Sequence, residues 1–175
     1  IWRDGKNGKE PNNWTSYFYG PAWKYDEATD QYYLHIFSTK QPDLNWENPK
    51  VRHEIYDMMK FWLDMGCDGF RMDTVNIYSK TPGLPDGKLG ENIGEEYFQD
   101  GPRIHEFLQE MNREVLSKYD IMTVGELTGG CIEESLQYAN NEGTELGMVF
   151  QSEQNLMDCG DKRFSYRKVP LSELK

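Results

Sequence analysis

The run Gly69-Phe70-Arg71-Met72-Asp73-Thr74-Val75 is apolar apart from an arginine and an aspartate two positions apart. Charged side chains in such a run are costly unless they are paired or used. Strand side chains alternate between faces, so Arg71 and Asp73 are expected on the same side. A second apolar run, Ile121-Met122-Thr123-Val124, is followed by Gly125 and then by another acid, Glu126. Two carboxylates at the ends of two strands suit glycoside hydrolysis. One attacks the anomeric carbon while the other, protonated, donates to the leaving oxygen. Arg71 would keep Asp73 ionised, as a nucleophile requires. Glu126 has no cationic neighbour in sequence, and an apolar wall or the charge of Asp73 would favour its protonated form. A gap of about 5 Å between the two carboxyls implies retention of configuration, and a much wider gap implies inversion. The same spacing also admits a structural Arg71–Asp73 ion pair, with Glu126 as a helix cap.

The elements around these residues alternate. Ala22 to Tyr25 and Gln31 to Phe37 read as a β-hairpin with a loop of about five residues. Asn48-Pro49 opens a helix, Asn as cap and Pro at the first helical position. Val51, Ile55, Met58, Met59, Trp62 and Met65 recur along it at helical spacing, and Gly66 stands where a left-handed C-cap belongs. Residues 67–75 read as a strand and residues 81–101 as a long loop with Pro-Gly, Leu-Pro and Asp-Gly turn signals. A helix follows Pro102, with Ile104, Phe107, Leu108, Met111 and Val115 on one side. A strand over 121–124, a helix over 132–139 and a strand over 146–150 complete the series. Helix and strand in alternation predict an α/β fold with a parallel sheet, whose chemistry sits at the carboxyl ends of the strands.

Composition narrows the partners. The chain has 175 residues, with 19 basic and 30 acidic side chains and a formal net charge of −11. That balance argues against a nucleic-acid partner, since phosphate contacts need clustered Lys and Arg. No run approaches the roughly 18 apolar residues of a membrane span. Five Trp and eleven Tyr lean towards carbohydrate, whose sites use aromatic platforms, although such residues also serve ordinary cores. Cys67, Cys131 and Cys159 have neither metal nor disulfide spacing, and imply free thiols in a reducing, cytoplasmic compartment. Asn13-Trp14-Thr15 matches a glycosylation sequon, a short motif of little weight. The chain opens on Ile1-Trp2-Arg3-Asp4 without an initiator Met, so a piece of a longer protein is expected. Nothing in the sequence fixes an oligomeric state.

Three motifs resemble glycoside hydrolase family 13, the α-amylase family, and within it the oligo-1,6-glucosidase and α-glucosidase (maltase) group. Gly69-Phe70-Arg71-Met72-Asp73 resembles the family's nucleophile motif, Thr123-Val124-Gly125-Glu126 its acid/base motif, and Gln41-Pro42-Asp43-Leu44-Asn45 the QPDLN motif of that group. The resemblance continues through Glu10-Pro11-Asn12-Asn13-Trp14, Tyr78-Ser79-Lys80, Gly101-Pro102-Arg103-Ile104-His105-Glu106 and Met148-Val149-Phe150. It implies a partial (β/α)8 TIM barrel. Residues 1–47 would be part of the inserted β-rich domain B, and residues 48–175 about strands four to six with their helices. It implies Asp73 as nucleophile, Glu126 as general acid/base, and Arg71, Thr74, Leu127 and Thr128 as substrate-binding residues.

In this group the position after the nucleophile resembles a linkage marker, with Val for α-1,6 and Thr or Ala for α-1,4 bonds. Thr74 therefore points to a maltose-type enzyme, although it is also an ordinary β-branched strand former. Leu127-Thr128-Gly129-Gly130 follows the acid/base and maps onto no single specificity. His105, on a helix, is expected to be structural, and Asp43, Asn45 and Trp46 to organise the domain B loop. The family's third-strand His and Asp, its His-Asp pair after the seventh strand, its calcium-site loop and its C-terminal β-domain have no match here. No cofactor is thus expected in this segment, and the isolated chain is expected to be inactive and poorly folded. Oligo-1,6-glucosidase, trehalose-6-phosphate hydrolase and sucrose isomerase are the nearest alternatives. A non-catalytic transporter heavy-chain ectodomain and a truncated, inactive product stand further off.

Overall fold

Apolar residues alternating about Trp23 and Tyr33 produce the expected hairpin. β2 (Trp23–Asp26) and β3 (Gln31–Leu34) pair antiparallel, with Tyr25 opposite Tyr32. The turn is tied by Asp26, whose carboxylate accepts from the Thr29 N–H at 3.0 Å and its hydroxyl at 2.7 Å. β1 (Trp2–Arg3), not foreseen from the sequence, adds antiparallel to the other edge of β3. β3 ends at Leu34 rather than Phe37. Beyond it the Ile36 N–H turns to the Asp43 carboxylate at 3.0 Å, which takes that donor out of the ladder. The computed structural model describes residues 1–90, 92–129, 131–140 and 142–150, with 166, 168–170 and 172. Gly130 and Cys159 lie outside the described residues.

The chain divides into two compact units, Ile1–Phe61 with Asn76–Phe107, and Trp62–Val75 with Leu108–Lys175. The first has a core of Trp14, Trp23, Leu34, Ile36 and Phe98. Phe98 comes from α2 (Glu95–Phe98), inside the stretch that reads as loop from sequence. Four residues are too few to show a helical period, so the pattern could not reveal it. The sequon residues are engaged. The Asn13 side chain exchanges two hydrogen bonds with the backbone of Gly87, and the Thr15 hydroxyl accepts from the Ile93 N–H.

α1 (Pro49–Asp64) starts as its cap residue dictates, the Asn48 side chain accepting the Lys50 N–H at 3.0 Å. Its C-terminus also follows the sequence. Gly66 has φ 97, and the Cys67 N–H returns to the Trp62 carbonyl at 3.1 Å, a Schellman closure. The buried stripe of α1 differs from expectation. It runs through Arg52, Tyr56, Met59 and Leu63, while Met58, Trp62 and Met65 are exposed. Apolar residues occupy two faces of this helix, and the face chosen for burial includes an arginine. Arg52 tolerates burial because its guanidinium donates to the Trp46 carbonyl at 2.7 Å and lies 5.1 Å from the centre of the Phe107 ring.

The second unit carries a parallel sheet. β4 (Gly69–Met72), β5 (Met122–Glu126) and β6 (Met148–Phe150) lie in that order, Arg71 opposite Val124 and Glu126 opposite Phe150. α3 (Ile104–Glu114) and α4 (Ile132–Tyr138) fall where the sequence puts them. Ile104, Phe107, Leu108, Met111 and Val115 are all buried, as expected. β4 is shorter than the expected 67–75. It stops at Met72, and Asp73 and Thr74 form a turn into a 3-10 turn at Val75–Ile77. β5 is longer than expected and ends on Glu126 itself.

Candidate active site

The parallel register brings the charged residues to one rim. β4 pairs with β5 as far as Met72 and Gly125, so Asp73, just past the end of β4, and Glu126, the last residue of β5, stand at the same edge of the sheet. Arg71, opposite Val124, lies within reach of both. Its Nη1 donates to Asp73 Oδ1 and its Nη2 to Glu126 Oε2, the latter at 2.6 Å. One guanidinium thus bridges two carboxylates from different strands. Two acceptors on adjacent guanidinium nitrogens are held in one fixed frame, because the fork is planar and rigid. Along the chain Glu126 has no cationic neighbour; in the structure it has one, because strand pairing brings residues 71 and 126 together.

The site is open. The side chains of Arg71, Asp73 and Glu126 are 47%, 61% and 34% exposed. The hydrogen bond to Asp73, and after it the charge of Glu126, push the Arg71 guanidinium above its ordinary value against an opposing desolvation. It is therefore a permanent cation.

Thr74 departs from expectation. It is not in a strand, and its φ is 38, a left-handed conformation unusual for a β-branched residue. Its N–H donates to Glu126 Oε2 at 3.4 Å. Arg71, Asp73, Thr74 and Glu126 therefore form one cluster. Leu127 is buried and Thr128 half-buried just beyond β5, and Gly129 takes φ 69 in a tight loop.

The whole chain, residues 1–175, matches the family model described as alpha amylase, catalytic domain. The chain belongs to the alpha-amylase catalytic-domain family. Its parallel strands β4, β5 and β6 are part of that family's (β/α)8 barrel. Over its full length it is 61% identical to an oligo-1,6-glucosidase of Parageobacillus thermoglucosidasius and 55% identical to an alpha-glucosidase of Pediococcus pentosaceus, covering 32% of each. A crystal structure of Bacillus licheniformis trehalose-6-phosphate hydrolase superimposes with TM-score 0.92 at 45% identity, over 99% of this chain and 31% of that one. The chain spans about a third of the length of the curated relatives it matches.

Residues outside the cluster serve the frame of this family member. Asp43 pairs with Lys80 by a short hydrogen-bonded contact and accepts the Ile36 N–H, while Lys80 also donates to the Ile77 carbonyl at 2.7 Å. Trp46 stacks on Tyr78, with ring centres 4.5 Å apart and planes 4° from parallel. His105 is half-buried on α3. The sequence reading gave Gly69 no separate role, yet it has φ 150, and a Cβ there would lie 1.8 Å from the Met122 carbonyl oxygen. The signal was a glycine starting a charged strand, which marks close backbone approach.

Proposed function

We propose that the chain carries the nucleophile and the general acid/base of a retaining, exo-acting α-glucosidase. It would hydrolyse terminal α-1,4-linked glucose from maltose and short malto-oligosaccharides. The observation that carries this reading is the single guanidinium of Arg71 on both Asp73 and Glu126 at the carboxyl rim of adjacent parallel strands. The Asp73 carboxylate attacks the anomeric carbon as the Glu126 carboxyl protonates the departing glycosidic oxygen. A glucosyl ester forms on Asp73. Glu126, now ionised, takes a proton from water, which attacks the anomeric carbon and releases Asp73. Arg71 holds both acids, and Thr74, Leu127 and Thr128 line the binding region. The double displacement routes no step through a cofactor.

Residues 1–47 are proposed as part of domain B and 48–175 as about the fourth to sixth barrel units. The exposed Cys67 thiol fits a cytoplasmic setting. Turnover is proposed for the full-length protein, since the resemblance requires a third acid outside this chain. Oligo-1,6-glucosidase, the activity named for the Parageobacillus relative, is the second reading. Trehalose-6-phosphate hydrolysis is favoured less, because Lys80 is committed to Asp43 and so is no free cation for a phosphate. The test is the initial rate of glucose release from maltose against isomaltose by the full-length protein. Faster release from maltose supports the Thr74 argument. Faster release from isomaltose overturns it and moves the activity to α-1,6 bonds.

A further inference from the structure

Two donors reach Glu126, and both fall on the same oxygen. Arg71 Nη2 lies 2.6 Å from Oε2, and the Thr74 N–H lies 3.4 Å from it. Among the described residues no donor is placed on Oε1. The second donor is backbone, and it faces Glu126 from a residue held at φ 38. A left-handed conformation costs a β-branched residue free energy, and such strain persists where surrounding structure imposes it.

We propose that the backbone amide of Thr74 is a positioning group for Glu126, fixing Oε2 as the accepting oxygen and leaving Oε1 to carry and transfer the proton. The inference rests on Glu126 being the acid/base. A carboxylic acid that accepts two N–H bonds on one oxygen keeps its O–H on the other. The pair Arg71 Nη2 and Thr74 N–H thus sets which edge of Glu126 meets the glycosidic oxygen. After glucosyl transfer the same two donors stabilise the carboxylate, so Glu126 need not turn between its acid and base steps. The apo distance of 3.4 Å is long, and catalytic hydrogen bonds commonly tighten when substrate binds. The charged groups facing Glu126 here are Arg71 and, on the other end of the same guanidinium, Asp73. The role belongs to the amide and not to the hydroxyl, which separates it from any part the side chain plays in linkage choice.

The test replaces the amide N–H of residue 74 by an ester oxygen in the full-length protein. The α-hydroxy analogue of threonine is introduced at that codon, so the side chain is kept. Two aryl α-glucosides are compared, one with a poor leaving group that needs protonation and one with a dinitrophenolate that does not. The expected result is a kcat/KM, which reports glucosylation alone, lower by roughly three- to tenfold on the poor leaving group only, as for the loss of one hydrogen bond. Threonine itself, incorporated at that codon by the same route, keeps the N–H and should show no loss. An equal loss on both substrates would mean a merely structural role and would overturn the inference, as would no loss at all. Glu126→Gln is measured alongside. If it shows no selective loss on the poor leaving group, the acid/base reading itself fails. If it does while the ester is silent, only the role of the amide fails.

Discussion

Gly66 and Gly69 offer a controlled comparison, three residues apart in one unit. Both take positive φ, 97 and 150. A Cβ at Gly66 meets nothing within 4 Å, while one at Gly69 would sit 1.8 Å from the Met122 carbonyl oxygen and 2.8 Å from its carbon. Gly66→Ala therefore bears only the backbone penalty, about 1–2 kcal/mol. Gly69→Ala bears a similar penalty plus an overlap that no side-chain rotation relieves, because both atoms belong to backbones. β4 must move away from β5, against a ladder that pairs Gly69 with Met122 and a hydrogen bond from the Met122 N–H to the Asp68 carbonyl at 3.0 Å. Forced overpacking typically adds about 1–3 kcal/mol, so Gly69→Ala is expected to cost about 2–5 kcal/mol in all. Displacement of β4 also shifts Arg71 and Asp73 against Glu126, and a misplacement of about 1 Å can cost roughly a hundredfold in rate. The assay is the urea midpoint of the full-length variants beside their kcat on an aryl α-glucoside. Gly66→Ala should lose stability but keep its rate, and Gly69→Ala should lose both. Equal midpoints for the two, with Gly69→Ala at full rate, would refute the argument from close approach.

Asp73→Asn and Glu126→Gln should each lower turnover by several orders of magnitude with little change in thermal midpoint, and a rate within tenfold of the parent in either would defeat the assignment. Arg71→Lys keeps the charge but loses the fork, so it should slow the glucosylation burst and the steady state together; a normal burst with a normal steady-state rate would show that bridging is dispensable. Asp43→Asn leaves Lys80, whose side chain is 6% exposed, without its counter-charge, and should cost about 3–5 kcal/mol in denaturant unfolding. The Arg71 guanidinium, raised above its ordinary value by Asp73 and Glu126, contributes its pairing energy fully below the unfolded pKa and loses it only as pH rises through the higher folded one. Neither limb of a pH–rate profile near neutrality should therefore disappear on lowering salt or on Arg71→Lys; a limb that vanishes in that variant would contradict this.

Much of the fold was legible because its signals were local. The Asn48 cap, the Gly66 closure and the buried side of α3 each follow from a few neighbouring residues, and each was found. The failures have physical causes. Burial of Arg52 depends on the Phe107 ring, a partner distant along the chain, and on the Trp46 carbonyl, which precedes the helix. α2 is shorter than the window over which a period can be seen. The cluster was legible as two acids and an arginine. Its wiring was not, because the bond from Arg71 to Glu126 joins residues 55 positions apart and exists only through the β4–β5 register. The left-handed turn at Thr74 was hidden for a related reason, since β-branching reads as strand and only packing at the end of β4 overrides it.

The bridge has a consequence for the charge of the site through the proposed cycle. Before glucosyl transfer the nucleophile Asp73 is anionic, Glu126 is protonated and Arg71 is cationic, so the three sum to zero. After transfer Asp73 is a neutral ester, Glu126 is anionic and Arg71 is still cationic, and the sum is again zero. The negative charge moves from one end of a single guanidinium to the other. A cation that served only Asp73 would be left unpaired in the intermediate, and Glu126 would have to ionise without a charge-assisted partner. Because Arg71 already contacts both acids, the counter-charge needs no motion when the covalent bond forms. The planar fork achieves this with two separate nitrogens, whereas a lysine ammonium offers one compact charge that must favour one acid over the other. The arginine in an apolar strand is thus explained by the pair of states it must serve, and not by either acid alone.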